Sequence, residues 1–241
     1  MIIKDISARE RLIFALDVAD PDAARELVTR LGDAVQFYKI GLELCMSRGF
    51  FDLLDWLVAR GKRVFVDLKF FDVPATVAAA VRQLRNRGVT LTTVHGNQAI
   101  MEAAAAAKGD VKVLAVTVLT SLDRGDLDDL GFNCDVAKLV LSRARRALEA
   151  GCDGVVSSGL EAPMLREFLD HRLLVVTPGI RPVENKPEDD QKRTVDVAQA
   201  FTNGADYIVV GRPIRDAADP RAAAESIQSI IADLFGPGRR G

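Results

Sequence analysis

The chain has 241 residues, 49% of them hydrophobic and 27% charged, with a formal net charge of −2 at pH 7. These values exclude a disordered or fibrous chain, and the length is that of one α/β barrel. Because acidic and basic residues are mixed along the whole chain, we predict neither a nucleic-acid-binding surface nor an anionic-membrane partner.

The cysteines and the first residues narrow the class of protein further. Cys45, Cys134 and Cys152 are scattered, without CxxC or Cys/His ligand spacing, so neither a disulfide framework nor a zinc site is predicted. The opening MIIKDISARERLIF lacks the long apolar core of a signal peptide, and no apolar run approaches the length of a membrane span. We therefore expect a cytoplasmic protein.

Short β-branched, apolar runs alternate with longer Ala- and Leu-rich stretches along the chain. The predicted strands are 12–17, 35–40, 63–68, 91–94, 111–119, 154–157, 173–177 and 206–210. The predicted helices are 21–31, 49–60, 75–87, 98–107, 134–150, 161–169, 194–203 and 220–234. Eight such units without a Pro/Gly/Ser-rich linker predict an α/β fold, a single (β/α)8 TIM barrel over residues 1–241. An open, doubly wound sheet is the alternative, although it more typically has fewer units and a switch point.

The first three predicted strands end in charged residues on a face that is otherwise apolar. Alternate residues of a strand share a face. The three sets are Ile13, Ala15 and Asp17; Val35, Phe37 and Lys39; and Phe65, Asp67 and Lys69. A ring of structural salt bridges could explain any one of these charges. Three neighbouring strands together favour an active site, because barrel enzymes carry their catalytic residues at the C-terminal ends of strands.

The ends of the seventh and eighth strands predict a phosphate-binding site, since the loops at these positions commonly bind phosphate in barrels. Arg181 follows the seventh strand in PGIR (178–181), and Gly211 and Arg212 follow the eighth. Gly211 permits close approach of the backbone to a ligand, Pro213 can begin a short helix, and Arg212 can donate two parallel hydrogen bonds. An ordinary turn is the alternative for any single Gly-Arg pair.

The third strand continues into DLKFFDVPAT (67–76), in which Pro74 suits the first turn of a helix that Asp72 could cap. This D-x-K-x-x-D-x-P-x-T string resembles the signature of the orotidine 5′-phosphate decarboxylases, whose usual form is close to DLKFHDIPNT. Phe71 and Ala75 depart from that form, outside its charged positions. Further blocks resemble the family in the same order, over almost the whole chain: FALDV (14–18), FYKIGLEL (37–44), TVLTS (117–121), TPGIRP (177–182) and VVGRPI (209–214).

The resemblance implies decarboxylation of orotidine 5′-phosphate to UMP in de novo pyrimidine biosynthesis, without a metal or an organic cofactor. The implied catalytic residues are Lys39, Asp67, Lys69 and Asp72, with Lys69 stabilising and then protonating a carbanion at C6. The implied substrate-binding residues are Asp17, Lys39, Thr76, Thr120, Arg181, Gln191, Gly211 and Arg212. Ser121 is the alternative to Thr120 at the pyrimidine edge.

The resemblance also implies a homodimer with two shared active sites, in which Asp72 and Thr76 serve the site of the partner subunit. The polar segment 183–193 would be a lid, from which Gln191 reaches the phosphate once the lid closes. Closure of such a lid would use phosphate binding energy to assemble the distant reaction centre.

Three other functions share part of this pattern. A metal-assisted sugar-phosphate decarboxylase or an aldolase-type synthase has the same D-x-K-x-x-D string, but the following P-x-T and the FYKIG context favour the nucleotide decarboxylase. A barrel isomerase of the tryptophan or histidine pathway would have the phosphate loops without the Lys–Asp–Lys–Asp array. A catalytically silent nucleotide-binding module would have no need of all four charges.

Overall fold

The computed structural model describes residues 4–95, 97–181 and 194–236. Within them, eight parallel strands pair in chain order and close into a barrel when β8 pairs with β1. The strands are β1 Leu12–Ala15, β2 Phe37–Ile40, β3 Arg63–Phe70, β4 Val89–His95, β5 Lys112–Val116, β6 Gly154–Val156, β7 Leu174–Thr177 and β8 Tyr207–Val210. The predicted (β/α)8 barrel is confirmed.

Helices follow the strands around the outside of the barrel. They are α1 Pro21–Leu31, α2 Leu42–Met46, α3 Phe50–Ala59, α4 Pro74–Leu84, α5 Gln98–Ala107, α6 Arg124–Asp129, α7 Val136–Glu149, α8 Ala162–Phe168, α9 Val197–Thr202, α10 Arg212–Arg215 and α11 Pro220–Phe235. The sequence pattern does not predict α2 or α6, because five or six residues are too few for a helical hydrophobic period to show. The short helix expected at Pro213 is α10.

Local sequence signals account for where the long helices begin and end. Asp20 caps α1, since its side chain accepts hydrogen bonds of 2.9 Å from the backbone N–H groups of Asp22 and Ala23, and Pro21 fits the first turn. Gly151 ends α7 with a φ of +83°, a conformation that costs glycine little. The prediction that Asp72 could cap α4 is wrong, because Val73 is the residue in the capping position. The Asp72 carboxylate accepts a hydrogen bond from the backbone N–H of Val73 instead.

Several strand predictions need correction. The strand predicted over 12–17 ends at Ala15, so Asp17 lies just beyond β1. Val35 does not share the inner face of β2 with Phe37, because β2 begins only at Phe37 and the Val35 side chain packs between barrel and helices. The strand predicted over 111–119 ends at Val116. Beyond Val116 the chain turns into the loop that carries Thr120.

Alternation along each strand separates the core into two layers. On β1, Ile13 and Ala15 point into the barrel, whereas Leu12 and Phe14 pack against the helices. The inner layer consists of Ile13, Ala15, Phe37, Phe65, Leu91, Leu114, Leu174, Val176, Tyr207 and Val209. Burying a large apolar side chain contributes about 1.5–3 kcal/mol to the stability of the fold. The barrel interior is a packed core, and the C-terminal ends of the strands lie together at one mouth of the barrel.

Candidate active site

A cavity of about 270 Å³ opens at the C-terminal ends of the strands. Its lining comes from six strands (β1, β2, β3, β5, β6 and β8) and from the segments that follow β1, β5, β7 and β8: Ala15, Asp17, Lys39, Phe65, Asp67, Lys69, Val116, Val118, Leu119, Thr120, Ser121, Val156, Pro178, Gly179, Arg181, Val209, Gly211, Arg212 and Arg215. This is the end of the barrel at which enzymes of this fold bind their substrates. The volume is close to the lower limit for small-molecule sites, about 300 Å³.

Four charged side chains alternate in sign along one wall of the cavity. The Lys39 ammonium lies 3.0 Å from Asp17 Oδ1 and 3.7 Å from Asp67 Oδ2. The Lys69 ammonium lies 2.9 Å from Asp67 Oδ1. The structure therefore brings together Asp17, Lys39, Asp67 and Lys69, which the sequence places on three adjacent strands.

Within this array, burial and ion pairing shift the pKa of each group in opposite directions, and ion pairing has the larger effect. Burial alone would lower the pKa of the Lys39 ammonium, but the carboxylates of Asp67 and Asp17 outweigh it and raise that pKa. Burial alone would raise the pKa of the Asp67 carboxyl, but Lys39, Lys69 and the Thr93 hydroxyl lower it. Both groups are consequently charged at neutral pH, as fixed charges in a partly desolvated pocket.

The β3 backbone is irregular where the array sits. In the pairing of β3 with β4, Val66 lies opposite Thr92 and Phe70 opposite Val94, so β3 carries extra residues between these pairs. Lys69 has a φ of +49°, in the left-handed region, and its backbone N–H donates a 2.9 Å hydrogen bond to Thr93 Oγ1. The bulge turns Lys69 so that its side chain still lines the cavity.

Arginine side chains gather in a second part of the cavity, in the segments that follow β7 and β8. Arg181 and Arg212 line it as predicted, together with Gly211. A Cβ at Gly211 would lie 3.4 Å from the Ala15 side chain, so the backbone runs close to β1 here. The arrangement suits a dianion, since guanidinium groups donate paired hydrogen bonds to phosphate oxygens.

Arg215 also lines the cavity, and the sequence interpretation misses it. Its Nη1 donates a 2.9 Å hydrogen bond to the backbone carbonyl of Asp17, while Nε and Nη2 bind the two Asp216 oxygens at 2.7 and 3.1 Å. Arg215 thereby ties the loop after β1 to the turn after β8. The sequence does contain one signal that could have found Arg215. It lies three residues after Arg212 on a short helix, and residues of this spacing share a face.

The remaining predicted site residues fall into three groups. Thr120 and Ser121 both line the cavity, so the choice between them stays open. Asp72 and Thr76 are exposed and outside this cavity. Gln191 lies outside the described residues, as does the rest of segment 183–193.

Two further properties concern only the described part of the chain. No group of three or more His, Cys, Asp or Glu side chains there is arranged to hold a metal ion. None of its helices is long and apolar enough to cross a membrane.

Comparison with known proteins identifies the family. The family model of orotidine 5′-phosphate decarboxylase / HUMPS matches residues 10–227. An orotidine 5′-phosphate decarboxylase of Methylococcus capsulatus is 69% identical over 235 residues, which are 98% of this chain and 97% of that protein. One from Stenotrophomonas maltophilia is 56% identical over 228 residues, 94% of each chain. The crystal structure of the Lactobacillus acidophilus decarboxylase superposes with a TM-score of 0.80 at 34% identity, covering 92% of this chain and 99% of that one. The chain belongs to the orotidine 5′-phosphate decarboxylase / HUMPS family.

Proposed function

We propose that this protein decarboxylates orotidine 5′-phosphate to UMP, the last step that makes this nucleotide in de novo pyrimidine biosynthesis. The observation that carries the proposal is the alternating Asp17–Lys39–Asp67–Lys69 array, at ion-pair distances, in a cavity that arginines also line. The two relatives with 69% and 56% identity, both named as this decarboxylase, favour it over the metal-assisted siblings of the same family.

Lys69 is the proposed acid of the reaction. When the bond between C6 and the carboxylate breaks, CO₂ leaves and the electron pair stays on C6, where no adjacent π-acceptor can easily delocalise it. A fixed ammonium beside C6 stabilises this charge and then transfers a proton to it, and the resulting amine regains a proton from solvent. The side chain of Lys69 is 33% exposed, which leaves its ammonium accessible to a ligand while Asp67 holds it.

Asp67, Lys39 and Asp17 act around this reaction centre. Asp67 holds the Lys69 ammonium at 2.9 Å and would lie near the substrate carboxylate. Lys39 bridges Asp67 and Asp17 and balances the two acids, so that the array need not take up a proton when it is desolvated. Asp17, with a side chain 44% exposed, is available to accept hydrogen bonds from ribose hydroxyls.

The phosphate of the substrate would bind at the arginine side of the cavity. Arg212 and Arg181 supply guanidinium donors there, and Gly211 lets the backbone approach the phosphate. We include Gln191 as a donor from segment 183–193, on the family resemblance alone. Thr120 or Ser121 would meet the pyrimidine edge from the loop after β5.

A second copy of the chain would complete each site. Asp72 and Thr76 are exposed, yet the resemblance assigns both to the active site. The flanking Phe71 and Val73 are 65% and 62% exposed, although both are large apolar residues. Apolar side chains exposed together beside a functional residue are typical of a protein–protein interface. We therefore propose a homodimer in which Asp72 and Thr76 enter the partner's cavity.

One assay tests the proposed function. Purified protein is mixed with orotidine 5′-phosphate and the loss of orotate absorbance is followed, before and after exhaustive chelation of metals. We expect turnover that survives chelation, because Lys69 supplies both the charge and the proton. UMP binding without turnover would identify a binding module instead. Activity lost on chelation and restored by Mg²⁺ would assign the chain to the metal-assisted siblings.

A further inference from the structure

We propose that Thr93, on β4, is a positioning residue that sets the geometry of both Asp67 and Lys69 in the reaction centre. The inference rests on the proposed decarboxylation and adds a residue that the sequence motif does not contain. Thr93 is fully buried and does not line the cavity, so it would act through the two residues that do.

The Thr93 hydroxyl joins the side chain of one residue to the backbone of the other. It donates a 2.8 Å hydrogen bond to Asp67 Oδ1 and accepts one of 2.9 Å from the Lys69 backbone N–H. A hydroxyl has one proton to donate, and here that proton goes to the carboxylate that also receives the Lys69 ammonium. One oxygen atom thus fixes the carboxylate and the start of the lysine side chain relative to each other.

The bulge in β3 explains why a side chain is needed at this point. Because β3 has extra residues between Val66 and Phe70, the N–H of Lys69 binds the side chain of β4 rather than a backbone carbonyl. A left-handed conformation also costs a non-glycine residue about 1–2 kcal/mol, and Lys69 has a φ of +49°. The bond to Thr93 compensates part of that cost and holds the conformation that directs Lys69 into the cavity.

The neighbouring Thr92 provides a matched control. It is equally buried, but its hydroxyl donates a 3.0 Å hydrogen bond to the Val66 carbonyl, and it does not contact the charged array. Successive residues of a strand point to opposite faces, so Thr93 shares the inner face with Leu91 while Thr92 faces the helices. The two positions thus differ in their contact with the reaction centre and little in burial.

Thr93→Val keeps the shape of the side chain but leaves the Lys69 N–H and one Asp67 lone pair without their partner. We expect kcat to fall by about 10- to 100-fold with KM changed by less than about threefold, since the ribose and phosphate contacts remain. Thr93→Ser, which retains the hydroxyl, should recover most of the wild-type kcat. Thr92→Val should lower thermal stability about as much as Thr93→Val, with kcat unchanged.

Each kcat is expressed per UMP-binding site, so that partial unfolding of a preparation is not mistaken for a loss of catalysis. Thr93→Ala serves as a second variant without the hydroxyl. Wild-type kcat in either Thr93→Val or Thr93→Ala, or an equal loss of kcat in Thr92→Val, would overturn the role of Thr93. Absence of turnover in the wild-type protein would instead overturn the proposed function.

Discussion

The Lys69 ammonium donates a 2.9 Å hydrogen bond to Oδ1 of Asp67, which lies two positions earlier on the same strand. Neighbours of this spacing share a face, and the left-handed backbone at Lys69 brings the longer side chain back over the shorter one. The ion pair is therefore formed by two residues of one strand of the protein itself. A cation already in place costs no reorganisation when negative charge develops on the substrate.

Substitutions in the two parts of the cavity should have different effects on the kinetics. Arg212→Ala should lower kcat/KM for orotidine 5′-phosphate by about 10- to 100-fold, because a charge-assisted contact to phosphate is lost. On orotidine, which lacks the phosphate, the same variant should change little. Lys69→Ala should lower the rate on both substrates by at least about 10³-fold. Steady-state assays of each variant on each substrate measure these effects.

Arg145→Ala, at an exposed position on α7, is the control for loss of a guanidinium group and should behave as wild type on both substrates. An equal proportional loss on orotidine and on its phosphate in Arg212→Ala would show that Arg212 does not bind the phosphate.

Gly41 should limit the space around the Lys39 ammonium. Its backbone, with a φ of −116°, would accept a side chain, but a Cβ there would lie 3.2 Å from Lys39 Nζ and 3.5 Å from Asp17 Oδ1. The Lys39 ammonium cannot easily move away from this Cβ, because it is paired with two carboxylates. We expect Gly41→Ala to lower kcat/KM roughly tenfold through misplacement of the ammonium.

The thermal stability of Gly41→Ala should be unchanged or slightly raised, because alanine restricts the unfolded chain. Gly125→Ala is the matched control, since its Cβ would meet only Asp123 Oδ1 at 3.4 Å, and it should retain full activity. A Gly41→Ala variant with wild-type kcat/KM would show that the array tolerates the added methyl group. Melting curves and steady-state kinetics measure the two quantities.

Asp206, which immediately precedes β8 and does not line the cavity, should stabilise the fold without a part in catalysis. Its Oδ2 lies 2.7 Å from both Lys4 Nζ and Arg166 Nη2, and its side chain is 7% exposed. Removing one partner of a buried ion pair leaves uncompensated charge and costs about 3–5 kcal/mol. Asp206→Asn should therefore lower the free energy of unfolding by about 3 kcal/mol or more while kcat per folded site stays unchanged.

Glu225→Gln is the control for Asp206, because its ion pair with Arg221 is about half exposed on both sides. Such a pair contributes less than about 1 kcal/mol. Urea unfolding at one fixed protein concentration measures both variants, since the proposed dimer would be more stable at higher concentration. A similar small effect in the two variants would contradict the structural role of Asp206.

Period-two alternation was enough to predict the charged array from the sequence. It places Asp17, Lys39 and Asp67 on inner faces at predicted strand ends, and the structure brings Lys39 within ion-pair distance of both carboxylates. Alternation is a property of each strand alone, so it requires no knowledge of pairing. It fails for Val35, because nothing in the local sequence fixes the first residue of β2.

Thr93 and Arg215 could not be found in this way, because their roles depend on contacts between elements. The sequence has two adjacent threonines, and only the register of β4 against the bulged β3 decides which of them meets Asp67. Arg215 is recognisable only once the turn after β8 is placed beside the backbone of Asp17. Contacts of this kind follow from tertiary geometry rather than from composition or period.

In the proposed two-chain site, Lys69 and Asp72 come from different chains. Lys69 lines the cavity of its own chain, whereas Asp72, three residues later, is exposed outside that cavity. We expect Lys69→Ala and Asp72→Ala homodimers each to be nearly inactive. After the two are mixed and subunits exchange, a heterodimer should have one site with both lesions and one with neither, because the proposed site takes Lys69 from one chain and Asp72 from the other.

With random pairing, about half of the dimers are mixed and each has one intact site of two, so roughly a quarter of wild-type activity should return. Tagging the two variants differently allows the heterodimer to be purified, and it should then have about half of wild-type activity. Mixing Lys69→Ala with a differently tagged Lys69→Ala chain is the control and should restore nothing. If both residues act within one chain, every site of the heterodimer keeps a lesion. Purified heterodimers no more active than their parents would therefore refute the shared site, while the decarboxylase proposal would still stand on the wild-type assay.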